Sequence, residues 1–174
     1  MRRQFQFALP SLFVVGVLLL TACGGSGTGN SNAATATATP KVPHAGQSVD
    51  QILAGLKAKG LPIGDSVTYT AATDQNALLG RPGQYIGKIN FKDTRVPDSG
   101  DQGVDISVTD GGSIEVFNTL EDATKRFKYV QGIATSSSLF SEYDYQDGLV
   151  VLRISHQLTP DQAQAYDAAL KSLP

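Results

Sequence analysis

The stretch that decides the fold is residues 140–173, FSEYDYQDGLVVLRISHQLTPDQAQAYDAALKSL. The dipeptide Asp147-Gly148 favours a tight turn between two strands, predicted over 140–146 and 149–156. One side of the second strand is apolar, with Val150, Leu152 and Ile154. The segment Thr159-Pro160-Asp161-Gln162 then combines an N-cap, a proline at the first helical position and a capping-box partner. The stretch therefore predicts an antiparallel hairpin followed by a helix with four core-facing residues, Ala163, Tyr166, Leu170 and Leu173.

Upstream of this stretch, the same signals predict two more helices and four more strands. Ser48 with Gln51 forms a capping box for a helix over 49–59. Asn118 with Glu121 does the same for a helix that carries one apolar face, made by Leu120, Ala123, Phe127, Val130 and Ala134. Alternating or β-branched segments predict strands over 66–71, 84–92, 104–109 and 114–116, the last two joined at Asp110-Gly111.

The predicted element order is α-β-β-β-β-α-β-β-α. Because strands and helices do not alternate regularly, a doubly wound parallel sheet is disfavoured. We expect an α+β domain with one antiparallel sheet of five or six strands and three helices on one face. The other face would be partly solvated. Tyr143 and Tyr145 share one side of their strand, and they form either a surface patch or part of the core, depending on which face that is.

The N-terminus carries a different kind of signal. Arg2 and Arg3 precede an apolar run over 8–20, which is followed by Leu20-Thr21-Ala22-Cys23. Thirteen helical residues span roughly 20 Å, too short for the ~30 Å hydrocarbon core, so an uncleaved transmembrane anchor is disfavoured. The segment resembles the lipobox of bacterial lipoproteins. That resemblance implies cleavage before Cys23 and attachment of a diacylglyceryl group, with acyl chains such as palmitate, to its thiol.

The lipoprotein resemblance implies a signal peptide over 1–22 and attachment to the membrane through lipid on Cys23, at the extracytoplasmic face of the cell membrane. Two acyl chains make a stable anchor, where one would be marginal. Arg2-Arg3-Gln4-Phe5 also resembles a twin-arginine export signal, and ordinary unfolded export is the alternative. Residues 24–46 contain one charged side chain and almost no large apolar ones, which predicts a disordered tether. A single domain is predicted over 47–174.

Charge and cysteine content exclude several classes of function. Without Arg2 and Arg3 the mature chain has 12 basic and 16 acidic residues, a net charge of −4. A weakly acidic domain lacks the basic stripe that binds phosphates, so no nucleic-acid partner is expected. Cys23 is the single cysteine in the sequence, so an intramolecular disulfide, a cysteine nucleophile and a Cys/His zinc cluster are all excluded.

Few residues have the pattern of a catalytic or cofactor site. Of the two histidines, His44 lies in the tether, and His156 ends a strand with no nucleophile motif near it. No glycine-rich phosphate loop precedes a helix, and no cofactor is predicted. The acidic loop after residue 92 contains Asp98, Asp101 and Asp105, which are weak candidates for calcium ligands because Asp, Gly and Ser are also ordinary turn residues.

The loop Asn76–Tyr85 is the candidate binding surface, through Leu78, Leu79, Arg81 and Tyr85. Adjacent leucines beside Arg and Tyr are typical of contact surfaces, although the simpler interpretation is that the leucines fill the edge of the core and Gly80–Gly83 turns the chain. The favoured function is therefore a non-enzymatic module for an envelope protein or peptide. The alternative is an envelope hydrolase that uses two carboxylates, with three glutamates available, Glu115, Glu121 and Glu142, and no spacing that pairs them.

Overall fold

A computed structural model describes residues 41–97, 105–136 and 141–174, which belong to one compact unit. Within these ranges lie three α-helices, α1 (Val49–Ala58), α2 (Leu120–Ser136) and α3 (Pro160–Lys171). The same ranges hold five strands, β1 (Ile63–Thr68), β2 (Gly87–Asp93), β3 (Gly111–Val116), β4 (Glu142–Asp147) and β5 (Val150–Ser155). The strands form one antiparallel sheet in the order β1-β2-β3-β5-β4. The predicted α+β class with an antiparallel sheet is confirmed.

The strongest local signals gave the correct elements. Ser48 and Gln51 exchange both bonds of a capping box at the start of α1, and Thr159 and Gln162 do so at α3. The β4–β5 hairpin turns at Gly148, whose φ of +51° lies in the left-handed region that favours glycine. Phe140, the predicted start of the first hairpin strand, lies outside the described residues.

One face of the sheet is covered by α1 and α3. Buried side chains from both helices and from the strands β2, β3 and β5 make this core, among them Ile52, Leu56, Phe91, Ile114, Leu152, Tyr166 and Leu170. The rings of Phe91 and Tyr166 stack with centroids 5.6 Å apart. Tyr143 and Tyr145 are half-buried and pack against the same core. They therefore belong to the packed face of the sheet.

The second helix, α2, lies on the opposite face, so the prediction that all three helices share one face is wrong. Ala123 and Val130 of α2 pack with Val151 of β5. Val151 points away from Val150 and Leu152, because successive side chains of a strand alternate between faces. An apolar stripe indicates that a helix packs on a sheet, but the stripe does not show which face of the sheet the helix covers.

The strand predicted over 104–109 does not form in the part that is described. Residues 105–107 have no regular structure, and Val108–Asp110 is a single 3-10 turn. Both edges of β3 are already paired, with β2 on one side and β5 on the other. The carboxylate of Asp110 accepts bonds from the backbone N–H and the hydroxyl of Ser107. The turn signal at Asp110-Gly111 therefore closes a 3-10 turn instead of a hairpin.

Other boundaries differ by a few residues. β1 covers Ile63–Thr68 where residues 66–71 were predicted, and β2 begins at Gly87 where residue 84 was predicted. At α2 the cap is shifted by one position, since Thr119 Oγ1 accepts from the backbone N–H of Asp122 at 3.1 Å. Asn118, the predicted cap, is exposed.

The last residues of the predicted tether are part of the domain. His44 is 2% exposed, and its ring nitrogens lie 2.8 Å from Gln47 Oε1 and 3.0 Å from Asp147 Oδ2. The backbone N–H of Leu149 donates to the carbonyl of Pro43 at 3.3 Å. The domain therefore begins before the predicted boundary at Gln47. Hydrogen bonds at the β4–β5 turn hold this segment in place, and such bonds leave no apolar periodicity in the sequence.

Candidate functional site

The face of the sheet beneath α2 is lined by polar side chains. We call it the polar face, and its members are Lys88, Asn90, Ser113, Glu115, Glu142, Asp144, Gln146, Arg153 and Ser155. They alternate along β2, β3, β4 and β5 with the side chains that face α1 and α3. This alternation predicted a partly solvated face. In the structure α2 and neighbouring loops cover much of it, and Lys88, Asn90, Ser113, Glu115 and Ser155 are buried.

Two arginines neutralise the carboxylates at the centre of the polar face. Arg126 of α2 donates from Nε and Nη2 to the two oxygens of Glu115, both at 2.7 Å, and Glu115 is 0% exposed. Arg153 donates from Nε and Nη2 to Glu142, both at 2.9 Å, and its Nη1 lies 3.5 Å from Glu115. Such bidentate, charge-assisted pairs are the strong ones. They attach α2 to β3 and link β3, β5 and β4.

A second buried network fixes the loop Asn76–Tyr85. The carboxylate of Asp74 accepts from the Tyr85 hydroxyl at 2.6 Å and from Lys88 Nζ at 2.9 Å. It also accepts from the backbone N–H groups of Leu78 and Leu79. Burial by itself would raise the pKa of Asp74, but these four bonds outweigh it and hold that pKa well below its usual range. The loop is therefore held to the sheet by an ionised carboxylate.

The loop presents less of its surface than the sequence predicted. Tyr85 is 0% exposed and packs edge-to-face on Phe117, with ring centroids 6.2 Å apart. Leu78 and Leu79 are half-buried against the same cluster. Arg81 is exposed. Tyr85 is thus a core residue and is removed from the candidate contact set.

A groove of about 660 Å³ lies between this loop and α2. It is lined by Asn76, Leu78 and Gln84 from the loop and by Arg126, Tyr129 and Ile133 from the helix. Tyr129 is 61% exposed, and the Arg126 guanidinium lies 5.7 Å from its ring centroid. Sequence reasoning missed Tyr129 because this residue falls outside the apolar stripe of α2. The signal in the sequence that could have identified it is an aromatic residue, Tyr129, close to Arg126 and outside the apolar stripe.

A further cavity of about 470 Å³ lies where α2 meets the edge strand β4. Glu142 and Asp144 line it from the strand, and Gln131 and Thr135 line it from the helix. Asp144 Oδ1 is buried and has no hydrogen-bond partner among the residues that the structure describes. Burial and the nearby Glu142 carboxylate raise the pKa of Asp144 to about 7.

The described residues give no support to the prediction of a calcium site. Asp98 and Asp101 lie outside the described residues. Asp105 is exposed and accepts a bond from Gln75 Nε2. Among residues 41–97, 105–136 and 141–174, no group of three or more His, Cys, Asp or Glu side chains is placed to hold a metal ion.

The glutamates of the hydrolase alternative are only partly brought together. Glu115 and Glu142 share Arg153, whereas Glu121 is exposed on α2 and pairs with Lys125 at 2.6 Å. His156 is exposed at the end of β5.

Comparison with known proteins finds no matching family profile, no matching curated protein and no matching solved structure. None of the helices in the described ranges has the length and apolar character needed to cross a membrane. Cys23 and the predicted lipobox precede those ranges. Two features therefore point to a function, the N-terminal sequence and the groove beside α2.

Proposed function

We propose that this protein is a lipoprotein, anchored by lipid on Cys23 at the extracytoplasmic face of the cell membrane, whose α+β domain binds an envelope protein or peptide without catalysis. The anchor rests on Leu20-Thr21-Ala22-Cys23 and the apolar run before it. The residues between Cys23 and Lys41 connect the lipid to the domain.

The observation that carries the binding proposal is the groove between the loop Asn76–Tyr85 and α2. Its wall joins an exposed aromatic ring, Tyr129, to a guanidinium and aliphatic side chains. Tyr and Arg dominate the binding energy of protein interfaces. Arg126 is held by Glu115 and the loop by Asp74, so both walls are fixed before a partner arrives. Fixed walls reduce the ordering cost of binding.

The hydrogen bonds that the carboxylates accept favour a binding function over hydrolysis. A glycosidase-like mechanism needs two carboxyl groups free to exchange a proton or attack. Glu115 and Glu142 each accept two bonds from a guanidinium, which occupies their oxygens. Asp144 has no second free carboxyl group beside it, because its neighbour Glu142 is bound to Arg153.

The anchor is tested by Cys23→Ser. Only a thiol accepts the lipid in the lipoprotein family, so this variant should lose acylation and accumulate as an uncleaved precursor. Metabolic labelling with a fatty acid measures the first effect, and gel mobility measures the second. Label incorporation that survives the substitution would contradict the lipoprotein proposal.

The groove is tested by Tyr129→Ala, which removes an exposed ring and should change the stability of the domain by less than about 0.5 kcal/mol. Capture of the envelope partner by tagged, detergent-solubilised lipoprotein should fall at least about tenfold, as for an interface anchor. Leu120→Ala is the matched control, because Leu120 is 50% exposed on the same helix but outside the groove. Equal capture by the Tyr129 and Leu120 variants would sink the groove as the binding site.

A further inference from the structure

Among the described residues, the groove beside α2 is lined by positive charges and by no negative ones. Lys125, Arg126 and Arg153 lie in its wall, and the other lining residues are uncharged. The acids that pair with these three residues are outside the lining, and they are Glu121, Glu115 and Glu142. The chain as a whole has the opposite balance, with 16 acidic and 14 basic residues. The groove is therefore a locally basic surface on a weakly acidic protein.

Arg126 keeps one hydrogen-bond donor available to a partner. Its Nε and Nη2 donate to Glu115, which is 0% exposed and lies behind the wall of the groove. Its Nη1 has no hydrogen-bond partner among the described residues and retains accessible surface, so it is open to the groove. The guanidinium lies 5.7 Å from the ring centroids of both Tyr85 and Tyr129. This donor is therefore fixed in position before a partner arrives.

Lys125 supplies a second donor next to Arg126. Its side chain is 67% exposed, and that of its partner Glu121 is 75% exposed. Ion pairs this exposed contribute little to stability, so Lys125 can turn to another acceptor at small cost. One acid, Asp122, stands at the rim beside Gly83, where its Oδ2 accepts a bond from Thr119. The two donors lie about one turn further along α2 than this acid.

We infer that the partner enters the groove with an acidic peptide segment, whose carboxylate accepts hydrogen bonds from Arg126 Nη1 and Lys125 Nζ. A neighbouring apolar side chain of the segment packs on Tyr129, Leu78 and Ile133. The segment belongs to the partner in the proposed function, on which this inference rests, and specifies the chemistry of that partner. A carboxylate matches donors that lack an acceptor, and charge-assisted bonds are the strong ones. A basic segment would meet like charges, which is unfavourable.

The remaining lining groups favour a peptide over a phosphate group. The amide side chains of Asn76 and Gln84 can pair with a peptide backbone, and three aliphatic side chains also line the groove. A phosphate monoester carries up to about two negative charges. Arg126 and Arg153 already bind a glutamate each, so they have little charge left to balance a second anion of that size. A single carboxylate needs less compensation.

Blocked tripeptides that differ only in charge test the acidic partner. Leucine is placed between two glutamates, two glutamines or two lysines, and each tripeptide is titrated into the full-length protein in detergent micelles. Calorimetry measures binding, with the titration into empty micelles subtracted. The glutamate tripeptide should bind at least about tenfold more tightly than the glutamine one, and the lysine tripeptide should not bind. About 1 M salt should weaken binding of the glutamate tripeptide alone, because the Debye length falls to about 3 Å.

Lys125→Gln tests the charge without disturbing the fold. It removes a mostly exposed cation, so thermal unfolding should be unchanged. Affinity for the glutamate tripeptide should fall at least about threefold, while affinity for the glutamine tripeptide stays the same. Lys128→Gln is the matched control, because Lys128 is exposed on the same helix but outside the groove, and it should change neither affinity. A loss confined to the acidic probe cannot be explained by a structural role.

Several outcomes would overturn the acidic partner. They are a glutamate tripeptide that does not bind, equal binding of the glutamate and glutamine tripeptides, and equal effects of Lys125→Gln and Lys128→Gln. Displacement of the glutamate tripeptide by an equal concentration of inorganic phosphate would also overturn it and would assign the cations to a phosphate group. The proposed function survives each of these results if Tyr129→Ala still weakens capture of the envelope partner. Capture that Tyr129→Ala leaves unchanged contradicts the proposed function, whatever the tripeptides do.

Discussion

Replacing Tyr85 with alanine should destabilise the domain by about 3–5 kcal/mol, the usual cost of removing a buried aromatic side chain. The ring is 0% exposed and packs on Phe117. Its hydroxyl also donates to Asp74 at 2.6 Å, so the variant weakens the network that holds the loop Asn76–Tyr85. Urea denaturation of the full-length protein, followed by circular dichroism, measures the loss.

Tyr85→Phe is the matched control for this prediction. It keeps the ring and removes one hydrogen bond to Asp74, which still accepts from Lys88 and two backbone N–H groups. We expect a cost of about 1–3 kcal/mol, as for a hydrogen bond to a charged group. An alanine variant that loses less than about 1 kcal/mol would show that the ring lies at the surface, and would return Tyr85 to the list of contact residues.

Arg126→Met should cost about 3–5 kcal/mol, because it leaves a buried carboxylate without its main partner. Glu115 is 0% exposed and would retain only Arg153 Nη1 at 3.5 Å. Methionine approximates the length of the arginine stem, so lost packing contributes little. The free energy of unfolding from urea titration at pH 7 gives the effect.

Two further variants separate charge from packing at this pair. Lys125→Met removes a neighbouring cation that pairs with Glu121 at the surface, and it should cost less than about 1 kcal/mol. The double variant Glu115→Leu with Arg126→Met removes both buried charges and should recover most of the loss, since apolar replacements of buried pairs are often neutral. If Arg126→Met is as mild as Lys125→Met, the buried pair does not hold α2 on the sheet.

The elements that sequence predicted correctly are those whose signals are local. The capping boxes at Ser48 and Thr159 depend on residues three apart, and the β4–β5 turn depends on one dipeptide. These interactions form between neighbours in the chain, so the pattern in the sequence determines them.

The elements that were predicted wrongly depend on distant partners. The alternation of apolar and polar residues after residue 103 is typical of a strand. However, β3 pairs with β5, whose residues lie about 40 positions further along the chain. The face covered by α2 is likewise decided by a distant partner, Glu115, whose carboxylate pairs with Arg126. A single sequence contains the charges but not their pairing.

The candidate site shows the same division between local and distant information. The loop Asn76–Tyr85 was identified from its composition, and it does form one wall of the groove. Which of its side chains face outward was not predictable, because the burial of Tyr85 is fixed by Asp74 and Phe117. Tyr129 and Asp144 could be identified only from the tertiary structure, because the role of each depends on the side chains that pack beside it.

The most direct test of a binding module at the groove is site-specific photo-crosslinking in living cells. A photoreactive phenylalanine analogue at Tyr129 would face the groove, and the same analogue at Ala168 would be exposed on α3, on the other side of the sheet. We predict a discrete crosslinked adduct from position 129 and none from position 168, each in the full-length protein. No adduct at position 129, or the same adduct at both positions, would contradict the proposed function.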